Sequence, residues 1–243
     1  MSPAAEAARR RLIAAGIVAT CASLIVLLTT DLANRFILDG RAEMFDASGE
    51  GNLPTWMSVV AAFAAALGCL IHAVLASERR GQFAVLAASL AYVSLDELAE
   101  LHESAERHAI GRMPEPLADA FDVVVLAPVL GAILVVVWII SRHEPSSISL
   151  LLRLGLLLLI ATILADEVVN NATEAFVTRG VLWPDQVRAA LEEAFELAGL
   201  GLLATALLAR LPFLGVVPGG ANAVPVGDAE AGETSPARRT YTS

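Results

Sequence analysis

Phe83-Ala84-Val85-Leu86-Ala87-Ala88-Ser89-Leu90-Ala91-Tyr92-Val93 runs straight into Ser94-Leu95-Asp96-Glu97-Leu98-Ala99-Glu100-Leu101-His102-Glu103. The first half is oily enough to enter a bilayer, and no Gly or Pro separates it from the acids. An Asp at the centre of a membrane helix costs roughly 2.5–3.5 kcal/mol, so such groups are taken as functional by default. Two further apolar runs repeat the feature. One carries Asp166-Glu167 with Asn170, Asn171 and Glu174; the other carries Glu192-Glu193 with Glu196. The chain reads as a multi-pass membrane protein with a carboxylate-rich site.

Composition agrees. Hydrophobic residues make up 56% of the 243 residues and mean hydropathy is +0.67, too apolar for a soluble globule. A hydrocarbon core of about 30 Å takes about 20 helical residues. Six runs meet that length, near 11–30, 54–76, 82–103, 122–141, 149–173 and 186–211. The expected fold is an all-α bundle of six transmembrane helices, with residues 11–211 as one domain. Residues 1–10 form its N-terminus, and 212–243, rich in Gly, Pro, Ala and Thr, read as a disordered tail. Cys21 and Cys69 stand alone without CxxC spacing and read as small core residues.

Charge orients the bundle. Arg9-Arg10-Arg11 precede the first span, which predicts a cytoplasmic N-terminus, and six crossings return the C-terminus to the same side. Most of the acids then fall toward the opposite face. The net charge of −10 and the acidic outer field favour cations and exclude nucleic acid. Thr29-Thr30-Asp31 closes the first apolar run without a small-residue cleavage site, so that run is expected to remain as a helix.

Local signals mark the helix ends. Pro54-Thr55-Trp56 opens the second span, and Trp183-Pro184-Asp185 the sixth. A short interfacial helix is expected around Phe36 to Phe45. The third helix is expected to run from Gln82 to Ile110 and stop at Gly111, about 43 Å at 1.5 Å per residue. His72, deep in the second span, reads as a packed, hydrogen-bonded residue, and Arg153 as one that snorkels to the interface.

Helix arithmetic brings the acids to one level. From assumed inner ends at 81, 149 and 211, Asp96 and Glu97 lie at about 22 and 24 Å. Asp166 and Glu167 lie at about 26 and 27 Å, and Glu196 and Glu193 at about 22 and 27 Å. Asp96, Glu100, Glu103 and Arg107 share one helix face, from which Glu97 points about 100° away. Buried carboxylates must meet a cation, take up protons or reach water. Arg35, Arg107, Arg179 and Arg188 are the permanent cations nearby, and a divalent metal ion would balance the excess. The candidate ligands are Asp96, Glu97, Glu100, Asp166, Glu167, Glu193 and Glu196, followed by His102, Glu103 and Asn170.

Specific chemistry is harder to read. HExxH is absent, paired ExxH motifs are absent, and no GxSxG elbow occurs. Three alternatives to simple cation binding stay open: a metal-dependent membrane hydrolase or oxidase, a proton- or cation-coupled transporter or sensor, and a structural partner of another membrane protein. The interacting phases are the lipid bilayer and a cation or lipid ligand. Ser94-Leu95-Asp96-Glu97 followed by His102-Glu103 resembles a motif of uncharacterised bacterial multi-pass proteins. That resemblance covers about ten residues and implies a bacterial cytoplasmic membrane setting, without implying an activity.

Overall fold

The computed structural model describes residues 2–47, 51–76, 78–99, 101, 121–177 and 184–214. For 121–126, 163–177 and 184–188 only the backbone is described. The described residues form six long helices: α1 (Pro3–Phe36), α2 (Leu53–Leu75), α3 (Arg80–Ala99), α4 (Phe121–Ser141), α5 (Ser146–Val177) and α6 (Pro184–Ala209). They form an all-α membrane bundle, and α1, α2, α3 and α6 are each long and apolar enough by themselves to cross a bilayer. The described apolar parts of α4 and α5 cover Ala127–Ser141 and Ser146–Thr162. α4 continues as helix through Pro128.

α1 starts well before the first apolar residue. The Ser2 side chain accepts from the Ala5 amide, Pro3 occupies the first turn, and Glu6 pairs with Arg9 and Arg10 at 2.6 and 2.9 Å. Pro pre-sets the first turn, and an acid there suits the helix dipole. The hydrogen bond from Arg10, helped by Arg9, holds the Glu6 carboxyl below its usual range. Residues 3–10 are thus helix, continuous with the first apolar run.

α2 to α6 close a ring in which each helix packs on two neighbours, and α1 stands outside it, docked mainly on α6. The core is drawn from all five ring helices, with Cys69, Phe83, Leu90, Val137, Leu152 and Leu203 among its members. In lipid, helices associate through close packing rather than through hydrophobic burial, and small residues permit that approach. Gly155 and Gly199 bring α5 and α6 nearly backbone to backbone, since a Cβ on Gly155 would lie 2.8 Å from the Gly199 carbonyl oxygen. α1 uses a reciprocal device. Thr205 of α6 sits over Gly16, Thr20 of α1 sits over Gly201, and each threonine hydroxyl donates to a glycine carbonyl on its own helix. Cys21, by contrast with Cys69, is exposed on the outer side of α1 rather than in the core.

The two ends of the bundle differ in charge. The end carrying Arg9–Arg11, Arg80, Arg142, Arg153 and Arg210 is the basic end; the end carrying Asp31, Asp46, Asp96 and the α6 glutamates is the acidic end. At the basic end Trp138 lies between two guanidinium groups, Arg142 at 4.9 Å and Arg153 at 5.7 Å from its ring centre. At the acidic end the link from α1 to α2 is a 3-10 turn over Glu43–Phe45, not a helix from Phe36 to Phe45. Asp39 and Gly40, both at positive φ, end the helical path there. Beyond α6, Leu211–Leu214 form a short 3-10 turn with Pro212 buried and the Phe213 ring under Arg9, so order persists just past residue 212. Residues 215–243, the expected tail, lie outside the described residues.

Candidate functional site

Three ring helices turn a heptad-like stripe toward the core, and all three stripes become polar at the acidic end. On α6 the stripe is Glu193, Glu196, Leu200, Leu203 and Leu207, spaced by three and four residues. Its three leucines are no more than 1% exposed. On α2 it is Thr55, Ser58, Ala62, Ala65, Cys69 and His72, all buried. On α3 it is Phe83, Leu86, Leu90, Ser94 and Glu97. Residues at this spacing share one helix face.

Contacts set the relative levels. His72 Nε2 lies 3.0 Å from the Leu207 carbonyl, and Gly68 faces Leu207, so Ser58 of α2 falls between the levels of Glu193 and Glu196 of α6. Ser94 Oγ donates to the Val59 carbonyl at 3.1 Å, so Glu97 stands about 4.5 Å further toward the acidic end than that contact. Ser58, Glu97, Glu193 and Glu196 therefore lie within about one to two turns of one another. One oxygen of each α6 carboxylate, Glu193 Oε2 and Glu196 Oε1, is shut off from solvent. Glu97, Glu193 and Glu196 also have polar or electrostatic contacts within the chain.

The sequence candidates distribute as follows. Asp96 is buried, 5% exposed, but with Ser89 it occupies a face of α3 about 100° or more from the Phe83–Glu97 stripe. Glu97 lies on the stripe itself and is half-buried. Asp166, Glu167 and Asn170 lie on α5 beyond the described side chains. The Gly155–Gly199 approach, with Leu159 against Gly199 and Leu203 against Gly155, places the backbone of Asp166 about one turn from the level of Glu193. Glu100, His102 and Glu103 lie outside the described residues, as does Arg107. Among the described residues, no group of three His, Cys, Asp or Glu side chains converges as metal ligands would.

Arg35, one of the expected counter-cations, is engaged elsewhere. Its Nε donates to Asp31 at 2.7 Å, and Nη2 lies 3.7 Å from Asp46. Asp31, 3% exposed, also accepts from the Ala47 amide, and buried Asn34 accepts from the Ala42 amide. These groups bind the α1–α2 link to the end of α1. The Asp31/Arg35 spacing of four residues was the readable signal for that pair.

Ser58 was not legible as a site residue. It is fully buried, and its hydroxyl has no hydrogen-bond partner among the described residues. A second unanticipated group sits at the basic end. There His72 Nε2 donates to the Leu207 carbonyl, while Arg210 Nη1 donates to His72 Nδ1 at 3.2 Å. Arg210 Nε pairs with Glu144 at 2.9 Å, and its guanidinium lies 4.6 Å over the Phe83 ring. The packed, hydrogen-bonded role expected for His72 is what the structure shows.

An open space lies between α1 and α2. It is floored by α6, measures about 370 Å³ and is lined by small apolar residues such as Ala19, Ala61, Ala64 and Gly201.

An apolar helical bundle whose core stripes end in acids and hydroxyls at one face defines the class: a multi-pass membrane protein with a polar layer near one surface. The chain belongs to the family described as a domain of unknown function, DUF8692, which it matches over residues 11–211, the whole helical region from the arginine run to the end of α6. No curated protein and no solved structure matches it.

Proposed function

We propose that the polar layer binds a cation, a divalent metal ion, in a bacterial cytoplasmic membrane, with the basic end in the cytoplasm and the layer reached from outside. The observation that carries this reading is the replacement of leucine by glutamate on one core stripe of α6, at Glu193 and Glu196, with one oxygen of each buried. A carboxylate there gives up solvation that only a positive partner, a proton or fixed donors restore. Glu97 of α3 and the backbone of Asp166 on α5 lie near the same level, with Glu167 and Asn170 following on α5. Arginine enrichment at the other end supports the orientation.

Binding or sensing fits better than conduction. Between the layer and the basic end the interior is filled by Ala62, Cys69, Leu90, Leu200, Leu203 and their neighbours. The His72–Arg210–Glu144 group closes the far end. A cation entering from the acidic side meets this packed core.

Elemental analysis of the full-length protein, purified without chelators, is expected to find a stoichiometric divalent metal that Glu196→Gln and Glu167→Ala release. Protein free of metal in both wild type and variants, after exposure to millimolar divalent salts, would overturn the reading. Reporter fusions at either terminus test the orientation; activity of an externally folding reporter there would reverse it.

A further inference from the structure

Several arginines of the bundle are matched to acids. Arg9 and Arg10 meet Glu6, Arg35 meets Asp31, and Arg210 meets Glu144. Arg142 and Arg153, both exposed, are treated differently: among the described residues neither meets a carboxylate. The acid that lies between them in sequence, Glu144, turns to Arg210 instead. Both guanidinium groups gather on one ring. Arg142 lies 4.9 Å and Arg153 5.7 Å from the centre of Trp138, itself 46% exposed.

Arg153 is brought there from some distance. Its backbone lies about 10 Å inside α5, counted from Ser146 at 1.5 Å per residue, and the side chain turns back toward the start of the helix. Its Nε donates to Ser141 Oγ at 3.4 Å, and that hydroxyl donates to the Trp138 carbonyl at 2.9 Å. The guanidinium is thereby tethered at the end of α4, beside the turn that carries Arg142. A guanidinium over an aromatic ring engages its face and keeps its N–H edge for an acceptor. The α4–α5 turn supplies two such edges and, in the first turn of α5, the positive end of a helix dipole.

The neighbouring surface says what the acceptor is attached to. Away from the turn, the outer faces of α4 and α5 are apolar and unfilled. Val135 stands one turn from Trp138, and Leu150, Leu154 and Leu157 share a face of α5 with Arg153, all four 40–59% exposed. A ligand with an anionic head and apolar tails matches both parts, whereas a free anion would use the arginines alone.

We propose that Arg142, Arg153 and Trp138 form a binding site for the phosphodiester headgroup of an anionic phospholipid in the leaflet at the basic end, with its acyl chains along α4 and α5. Arginine suits this headgroup because its planar donors pair with phosphate oxygens, and basic residues at a membrane surface draw anionic lipid. The site lies at the opposite end of the bundle from the polar layer and does not depend on the cation reading.

The test is native mass spectrometry of full-length protein, stripped of lipid in a neutral detergent and titrated with phosphatidylglycerol or phosphatidylcholine. Wild type is expected to retain phosphatidylglycerol saturably and in preference to phosphatidylcholine. The double variant Arg142→Gln/Arg153→Gln is expected to weaken phosphatidylglycerol by roughly tenfold or more and to leave phosphatidylcholine unchanged. Arg11→Gln/Arg79→Gln removes the same charge from two arginines of the basic end that also meet no described carboxylate but rest on no ring. It is expected to keep nearly all of the binding; an equal loss in both double variants would mean diffuse attraction and overturn the site. Excess inorganic phosphate is expected to leave the lipid bound, and displacement by it would reassign the arginines to a free anion. A second measurement needs no arginine variant. With Trp56→Phe and Trp183→Phe in place, Trp138 fluorescence should be quenched more by phosphatidylglycerol with brominated chains than by brominated phosphatidylcholine at equal mole fraction. Equal quenching by the two lipids overturns the proposal.

Discussion

The α2 stripe carries His72 at its basic end and Ser58, one turn from Thr55, at its acidic end, and these two buried polar side chains are treated in opposite ways. At the basic end His72 is satisfied on both nitrogens, and the arginine that serves it is satisfied in turn by Glu144. Four segments meet there: α2, α3 through Phe83, the α4–α5 turn and the end of α6. At the acidic end Ser58 keeps a bare hydroxyl opposite a stripe that exchanges leucine for glutamate. A closed network of charges and hydrogen bonds holds helices in register. On the proposed cation reading the two ends divide the work, one locking the bundle and the other binding.

The largest effect should follow from breaking the lock. Arg210→Met leaves the Glu144 side chain, 5% exposed, without its cation and removes the donor to His72. Stranding a buried charge costs about 3–5 kcal/mol. Denaturant unfolding in detergent should register that loss while cation binding at the far end survives in whatever fraction remains folded. His72→Phe is the milder version. It keeps the ring volume against Phe83, 5.0 Å away, but leaves the Leu207 carbonyl and one Arg210 donor to find other partners. About 1–3 kcal/mol is expected from the same unfolding measurement. If either variant is as stable as wild type, the basic end is not the lock and the contrast fails.

Hydropathy made the spans legible, because 20-residue apolar runs have few other uses. The similar backbone level of Glu97, Glu193 and Glu196 was legible too, since helical rise converts residue number directly into depth. What stayed hidden was azimuth. α3 is built from Ala, Leu, Val and Ser all round, so neither Asp96 nor Glu97 declares which of its faces meets the core. The Phe83, Leu86, Leu90 spacing leads to Ser94 and Glu97 only after one knows that Phe83 points inward. Ser58 is one small residue in an alanine-rich helix, and its significance lies in a hydrogen bond it does not make. His72, Glu144 and Arg210 are separated by 66 and 138 residues, and no local pattern joins them. The start of α1 was readable in Ser2-Pro3 and Glu6, but the arginine run drew the boundary to residue 11.

The smallest expected change in stability is the most informative about the division of labour. Glu196→Leu extends the Leu200, Leu203, Leu207 stripe by one turn in a helix whose partners already accept leucine there. Replacing a buried ionic group by a packed apolar one is often neutral or stabilising by about 1–4 kcal/mol. A variant at least as stable as wild type in cation-free buffer, yet unable to gain stability when divalent salts are added, would show that the glutamate is kept for binding and not for folding. Wild type should gain about 2.7 kcal/mol at a cation concentration one hundred times its dissociation constant. A Glu196→Leu protein that unfolds as readily as Arg210→Met would instead make both ends parts of one structural framework, and the asymmetry between them would lose its meaning.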